Sequence, residues 1–224
     1  MTTTPPRRPW GSLDRDRIIG AALELARTEG IDALTIRRLA TEVGASRMAL
    51  YRHIPDKETL LELVGNAVAE QELLPRAAGD GPWQHRLASL AQSMRASLTA
   101  YPGLAERIIA RPSTGRGGLR LAETLLEILA ETGLDEPATA TWYLVFLDLV
   151  QGRARSESRR GGDPTAPERQ APLLDAAARP GAEAPRLRAL APVLNGIGSD
   201  RIFHAEIAML IRAIEAEAAL RPEA

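Results

Sequence analysis

The 224-residue sequence contains no cysteine, only three histidines and few aromatic residues, which make up 4% of the chain. Without cysteine the chain can form neither a disulfide nor a cysteine-ligated zinc site, which is typical of proteins in a reducing cytoplasm. The three histidines are isolated, and their spacing does not resemble that of a metal site. We therefore expect no metal and no resident cofactor.

Long apolar runs are also missing. No stretch approaches the roughly 18 consecutive apolar residues that a membrane-spanning helix needs. The opening MTTTPPRRPWGS lacks the apolar core of a secretory signal. The sequence shows no phosphate-binding loop, nucleophile elbow or acid–base motif. These absences predict a soluble, cytoplasmic protein that is neither a membrane protein nor an enzyme.

The chain has no bulk positive charge, since its formal net charge is -1. Residues 1–60 hold 10 Lys and Arg against 8 Asp and Glu, and the remainder holds 18 against 21. Bulk charge therefore does not by itself indicate a nucleic-acid partner, and any such role depends on where the charges are placed. Arg7 and Arg8 could form a flexible arm, residues 1–12, near the DNA backbone or minor groove, and a tail that contacts nothing is the alternative.

Residues 13–61 predict three short helices and the start of a fourth. Gly30 and Gly44 are placed to end the first two helices, and Pro55 ends the third. Side chains that can cap the four helix N-termini stand at Asp14, Thr35, Ser46 and Asp56. Because the link between the second and third helices is very short and has glycine at its corner, this segment is predicted to be a helix-turn-helix.

The third of these helices carries more polar side chains than a buried helix allows. Leu50 can point into the core and Ile54 can close the end of the helix. The residues around them cannot all be buried, and these are Arg47, Met48, Ala49, Tyr51, Arg52 and His53. A charged helix is usually only a solvated face, which is the alternative to a DNA-reading helix.

The order of residues in this segment resembles the DNA-binding domain of the tetracycline-repressor (TetR) family of bacterial regulators. The resemblance covers about residues 13–64 and includes AALELARTEGIDALTIRRLATEVG and, above all, GASRMALYRHIPDKETLL. A turn glycine, a short helix ending in Leu-Tyr-x-His and a lysine shortly after form a much more specific pattern than a generic helix-turn-helix. The family match favours DNA binding over a solvated face.

The resemblance implies roles for residues that match the family pattern. Tyr51 and Lys57 stand where the family grips phosphates, and Arg37 stands where a second-helix side chain often reaches a base edge. Thr35 and Ser46 can also meet phosphates through hydroxyls and helix N-terminal amides.

The recognition helix holds the variable, base-facing positions, which are Arg47, Met48, Ala49 and Arg52. Arginine can bond guanine O6 and N7 together, and the two apolar side chains can contact a thymine methyl. A phosphate contact is the alternative for either arginine. His53 is expected to support the backbone contact or helix packing. Arg38, by contrast, is expected to be a surface or salt-bridging residue.

The rest of the chain predicts further helices. Helical patterns run over 83–101, 104–110, 119–131, 138–160, 187–194 and 200–219. A loop at 77–81 suggests the junction with a second part, and the Pro- and Gly-rich stretch 161–185 reads as a long mobile connection with a brief helical turn at 173–178. The predicted fold is all-α with nine or ten helices, in which residues 13–61 bind DNA and residues 62–224 bind ligand and dimerise.

Dimerisation is expected because one short recognition helix contacts too few bases for useful specificity. The family builds its dimer from the last two long helices of each subunit, here about 138–160 and 200–219. The candidate interface residues are Trp142, Val145, Leu149, Phe203, Ile207, Leu210 and Ile214. An ordinary core within one chain is the alternative for each of them.

Family members commonly hold a small-molecule pocket among the middle helices. Its candidate lining residues are Met94, Tyr101, Trp142, Tyr143 and Phe146, each of which could instead be plain core. Polar contacts could come from His85, Arg95, Asp148, Gln151 and His204. The sequence does not identify the small-molecule effector.

These observations predict a dimeric transcriptional repressor that binds a palindromic operator in double-stranded DNA and is released by a small-molecule effector. An activator or a regulator without a ligand would have the same DNA-binding helices, residues 13–61, which we call the reader. Both therefore stay open. A helical interaction protein without operator binding is a further alternative, although it would not require Arg37, Tyr51 and Lys57.

Overall fold

The computed structural model describes residues 14–77, 79–158 and 171–220, which form helices joined by turns and contain no strand. The first four helices are α1 (Arg15–Thr28), α2 (Ile36–Val43), α3 (Arg47–Tyr51) and α4 (Lys57–Val68). They confirm the predicted all-α fold with an N-terminal helix-turn-helix. The predicted arm with Arg7 and Arg8, and residues 161–170 of the predicted connection, lie outside the described residues.

All four predicted N-terminal caps are confirmed. The side chains of Asp14, Thr35, Ser46 and Asp56 each accept a hydrogen bond from a backbone N–H in the first turn of the helix that follows. Gly44 ends α2 with φ 65°, a left-handed conformation that glycine adopts without steric cost. Thr35, Gly44 and Ser46 therefore define where α2 begins, where it ends and where α3 begins.

One long helical rod connects the two parts of the chain. After α4 the rod continues without a break through a π-helical turn (Ala69–Leu73) into α5 (Leu74–Ala77). A π turn inside an α-helix is rare and is frequently found at functional sites.

Seven helices follow the rod: α6 (Trp83–Ala100), α7 (Leu104–Ala110), α8 (Arg116–Ala130), α9 (Glu136–Ser158), α10 (Ala171–Ala178), α11 (Pro185–Asn195) and α12 (Ser199–Ala219). Helix α6 is central, because it packs along α9 and also contacts α8, α12 and the rod. Fully buried Leu90, Phe146 and Phe203 fix this arrangement from α6, α9 and α12. A buried ion pair between Arg95 and Glu157 adds a polar link between α6 and α9.

Counting the rod once, the described residues form eleven helices, close to the nine or ten predicted. The extra helix is α10, where the sequence predicted only a brief turn. Helix α8 begins at Arg116 rather than near residue 119, because glycines 117 and 118 are part of the helix. Helix α9 was predicted to be buried on several sides, but Leu144 is 59% exposed in the chain.

Within the described part of the chain, no helix is long and apolar enough to cross a membrane.

Candidate DNA-binding surface and sensor cavity

The exposed side of α2 and α3 is built by the residues that the sequence predicts to contact DNA. Nine of the ten predicted DNA-binding residues are exposed: Thr35, Arg37, Ser46, Arg47, Met48, Tyr51, Arg52, His53 and Lys57. Ala49 is half-buried, while Leu50 is fully buried and anchors α3 to the core. Met48 is 75% exposed, which leaves a large apolar side chain in water unless a partner covers it.

The arginines of this surface differ in whether they have partners. Arg38 bonds Glu29 through Nη2 at 2.6 Å and Glu42 through Nη1 at 2.8 Å, which confirms the prediction of a salt-bridging residue. These hydrogen bonds raise the pKa of Arg38. The guanidinium groups of Arg37, Arg47 and Arg52 form no hydrogen bond or ion pair with the described residues.

The candidate phosphate-binding residues keep donors available. The Oγ atoms of Thr35 and Ser46 accept hydrogen bonds from the backbone, so each hydroxyl proton can still be donated to a phosphate oxygen. The Nζ of Lys57 donates to the Asp32 carbonyl at 3.2 Å and has two further protons to donate. Tyr51 is 48% exposed beside the unpartnered arginines. The donors available on this surface are of the kinds that bond phosphate oxygens and base edges.

A cavity, which we call the sensor cavity, lies in the second part of the chain, between the rod and helices α6, α8 and α9. Its volume is about 130 Å³. Gly65 and Ala69 of the rod, Leu98 of α6, Leu121 of α8 and Leu147 of α9 are among the residues that line it.

Two of the five predicted ligand-binding residues, Met94 and Tyr143, line this cavity. The other three are not among its lining residues. Tyr101 is fully buried and donates a hydrogen bond to Glu72, Trp142 donates one to Glu217, and Phe146 is fully buried in the core.

The predicted dimer residues are placed mostly inside the single chain. Among them Phe203, Ile207, Leu210 and Ile214 are buried in its own core, and Leu149 and Trp142 are partly buried against that core. For these four buried residues the structure therefore shows the alternative given above, an ordinary core within one chain. The apolar side chains that α9 and α12 leave exposed are Leu144, Val145 and Met209.

A polar clamp, formed by Glu62 and Asn66, fastens the rod to the loop before α8. The Glu62 carboxylate accepts hydrogen bonds from the backbone N–H groups of Thr114 at 2.6 Å and Gly115 at 2.8 Å. Asn66 Oδ1 accepts one from the Gly118 N–H at 3.0 Å. Burial opposes ionisation of Glu62, but the hydrogen bonds from Gly115, Asn66 and Thr114 outweigh it and lower the pKa.

No local sequence pattern identifies this clamp, because its two halves lie about fifty residues apart. Glycines are required on the loop side of the contact. A Cβ on Gly117 would collide with the Asn66 carbonyl oxygen, and a Cβ on Gly115 would collide with the Asn66 side chain. The run RPSTGRGG was the only local signal, and it predicted a break in the helix rather than a close approach between helices.

A second contact, separate from the clamp, connects the reader directly to the end of α6. The Ile31 N–H donates to the Pro102 carbonyl at 2.9 Å. Beside this bond, Arg27 donates to the Tyr101 hydroxyl at 2.7 Å and to Glu72 at 2.8 Å. Burial raises the pKa of Tyr101, and Glu72 raises it further, so this hydroxyl stays protonated. The reader is therefore fastened at α1 as well as through the rod.

Among the described residues, no group of three or more His, Asp or Glu side chains is arranged to hold a metal ion.

Comparison with known protein families gives two matches that together cover most of the chain. The model described as "Bacterial regulatory proteins, tetR family" matches residues 18–64. The model described as "Tetracyclin repressor-like, C-terminal domain" matches residues 74–218.

Two curated relatives are similar over long stretches. The chain is 31% identical over 207 residues to the class A tetracycline repressor protein from transposon 1721 of Escherichia coli, covering 89% of each protein. It is 33% identical over 153 residues to the HTH-type transcriptional repressor DrrR1 of Streptomyces coeruleorubidus. The latter match covers 68% of this chain and 57% of the relative.

Among solved structures, the fold is similar to that of ActR from Streptomyces coelicolor. The complex of ActR with actinorhodin has a TM-score of 0.76 and 28% sequence identity, covering 93% of this chain and 99% of ActR. The structure of ActR without ligand has a TM-score of 0.74 with the same identity and coverage.

Proposed function

Because this chain belongs to the TetR family of bacterial transcriptional regulators, we propose that it is a dimeric repressor that binds a palindromic operator and is released by a small-molecule effector. In this proposal residues 13–61 bind DNA and residues 62–224 bind the effector and form the dimer. The observation that carries it is the unpartnered, exposed set of arginines on a capped helix-turn-helix.

Arg47 and Arg52 are proposed to read bases, together with Arg37 from α2. An arginine that serves a protein's own stability is usually paired, as Arg38 is. Free guanidinium groups on the exposed face of α3 are available for the bidentate contact with guanine, worth about 1–3 kcal/mol of discrimination per pair. Met48 and Ala49 are proposed to contact thymine methyl groups. Phosphate contacts from the capping hydroxyls and Lys57 would fix the register of the reader on the duplex.

Helices α9 and α12 are proposed to form the dimer interface. They contact each other within the chain and leave Leu144, Val145 and Met209 exposed on their outer sides. Of these three, Val145 belongs to the predicted set, whereas Leu144 and Met209 do not. A two-fold pair of such surfaces would bury the exposed apolar area and present two recognition helices to successive major grooves, about 34–36 Å apart.

Effector release is proposed to act through the clamp. The segment 112–118, which consists of the loop before α8 and the start of α8, lines the cavity with Pro112, Ser113 and Gly118 and is held by Glu62 and Asn66 of the rod. An effector that displaces this segment must therefore move or break its bonds to the rod that carries the reader. Since coupling between two binding sites is reciprocal, bound DNA would lower the affinity for the effector by the same factor by which the effector lowers the affinity for DNA.

The relatives support both halves of the proposal. DrrR1 and the class A tetracycline repressor are named as repressors. ActR has been solved with and without actinorhodin on a closely similar fold. We infer that this chain also responds to a small molecule.

The test is selection of bound duplexes from random and genomic fragments by the purified full-length protein at stated salt. We expect enrichment of a short inverted repeat, and reporter transcription from that site should fall when the protein is present. A reporter that rises instead would identify an activator. A folded protein that enriches no sequence and shows only weak, salt-sensitive binding would contradict operator recognition and favour an interaction protein.

A further inference from the structure

The lining of the sensor cavity is apolar apart from three side chains. Its apolar lining residues include Val68, Leu73, Met94, Leu98, Ile108, Leu121, Leu125 and Leu147. The polar members are Ser113, Tyr143 and Gln151. Among the described residues that line it, none carries a charged side chain or an imidazole. The cavity therefore offers contact with apolar surface and a few neutral hydrogen-bonding groups.

The three polar side chains have spare hydrogen-bonding capacity. None of the side chains of Ser113, Tyr143 and Gln151 forms a hydrogen bond with the described residues. Burial raises the pKa of Tyr143, so its hydroxyl stays neutral and can donate or accept. All three side chains are only partly buried, so water can satisfy them, and a ligand with complementary polar groups can replace that water.

The cavity volume limits what enters without rearrangement. At about 130 Å³ it is comparable to an engineered apolar protein cavity of about 150 Å³ that binds benzene. A single aromatic ring with one or two small substituents therefore fits the cavity as it stands. A larger ligand would have to displace a wall, and the segment 112–118 is the part of the wall that the clamp connects to the rod.

We propose that this cavity takes an uncharged, mostly apolar ring compound, without a bound metal ion, whose polar groups bond Tyr143, Gln151 and Ser113. This inference rests on the effector site of the function proposed above and specifies its ligand class. An ionised ligand would lose its hydration without gaining an opposite charge, which is strongly unfavourable in an apolar site. A metal chelate would find none of the carboxylate or imidazole ligands that complete metal coordination in proteins.

The test uses the purified full-length protein and three small probes, toluene, 4-methylphenol and 4-methylbenzoate, with binding measured by calorimetry at neutral pH. We expect the two neutral probes to bind and 4-methylbenzoate to bind at least about 100-fold more weakly, because its charge would be buried unpaired. Addition of Mg²⁺ or a chelator should leave the affinity for 4-methylphenol unchanged.

Two variants locate the binding. Ala122→Phe fills the cavity and should abolish binding of both neutral probes, whereas Ala130→Phe, on the exposed end of the same helix, should not. Tyr143→Phe should weaken 4-methylphenol about two- to tenfold, the range of one neutral hydrogen bond, and leave toluene unchanged. Both cavity variants are first checked for an unchanged circular dichroism spectrum and a cooperative melting transition, so that misfolding is not mistaken for lost binding.

The inference is overturned if 4-methylbenzoate binds as well as 4-methylphenol and Ala122→Phe abolishes both. It is also overturned if neither neutral probe binds to a protein that binds its operator. Neither result would affect operator recognition. If the neutral probes bind in the cavity but leave operator affinity unchanged, the ligand class stands and effector release, as proposed above, fails.

Discussion

Exposed, unpartnered guanidinium groups set the chemistry of the reader at the scale of single residues. Arg47 and Arg52 lie on or next to α3 with no internal ion pair, whereas Lys57 begins α4 at the edge of the same surface. Base edges carry sequence information and phosphates do not, so these residues should differ in what their removal changes.

Arg47→Ala or Arg52→Ala is expected to relax preference at particular base pairs of the operator, with losses of about 1–3 kcal/mol on the best sequence. Lys57→Ala should weaken binding to all sequences to a similar degree. It should also reduce by about one the slope with which the logarithm of the binding constant falls against the logarithm of the salt concentration. Titration of matched operator variants at several salt concentrations measures both effects. The assignment of roles is wrong if Lys57→Ala alters base choice and the arginine variants do not.

Glu62 makes a pH-dependent contribution to stability. Its pKa is lowered in the folded protein, so its contribution is fully present above the ordinary glutamate pKa of about 4.3 and is lost as pH falls through the lower folded value. We expect Glu62→Gln to melt at a lower temperature than the parent near pH 7 and the gap to narrow below about pH 4. Thermal scans of both proteins from pH 3 to 8 test this, and a constant gap would contradict it.

Residues with local signals were predictable from the sequence, and those defined by distant partners were not. The caps Asp14 and Thr35 each act within three residues of their own position, so the sequence nearby contains the information. Glu62 acts on Thr114 and Gly115, which no local pattern connects to it. Tyr101 has the size and polarity of a pocket residue, and only the fold shows that it bonds Glu72 and Arg27.

At the scale of helices and turns, the contact between the α1–α2 turn and the α6–α7 turn depends on glycine. Gly103 has φ +86°, and a Cβ there would lie 3.4 Å from the Ile31 Cβ. Gly103→Ala is expected to destabilise the protein by about 1–2 kcal/mol because an L-residue is strained in this conformation.

A matched control for Gly103→Ala exists on α1, where a Cβ at Gly20 would meet nothing within 4 Å. Gly20→Ala removes glycine from a helix interior and should stabilise by about 0.5–1 kcal/mol. Urea denaturation of the two variants compares them, and equal shifts of the same sign would show that backbone strain at residue 103 is not the cause.

Helix periodicity located α6 and α7 nearly to the residue, because each has a regular apolar stripe and a clear stop. At α8 the glycines led to a wrong prediction, because the predicted helix begins only after them, near residue 119. Glycines 117 and 118 are in fact part of α8. Gly117 is buried against the Asn66 carbonyl, so its missing side chain serves packing between helices rather than a break in the chain.

At the scale of the whole molecule, Met209 is 57% exposed on α12, whereas Phe203, Ile207, Leu210 and Ile214 of the same helix are buried. Met209→Glu is expected to weaken the proposed dimer, since it introduces charge where apolar surface would be covered. Leu119→Glu, at a similarly exposed position on α8, is the matched control. Sedimentation should show monomers for the first variant only, and operator affinity should fall at least about tenfold with it.

Sequence patterns could not separate core from interface. Phe203, Ile207 and Leu210 have the helical spacing expected of either, and the structure places all three in the core of one chain. The exposed side chain on the same helix, Met209, falls outside that stripe and was not predicted. Only the packing of α12 onto its neighbours shows which apolar residues are left for a partner.

The π turn at Ala69–Leu73 sets how far the residues after it are rotated about the rod axis relative to the residues before it. Each α-helical residue turns the chain by about 100°, so a change of one residue here would rotate Glu72 away from Arg27 relative to the cavity wall that Gly65 helps to form. A variant of this chain that is one residue shorter between Gly65 and Glu72 would therefore turn these two contacts about 100° apart around the rod. The length of this segment, and not only its side chains, is part of the connection between the cavity and α1.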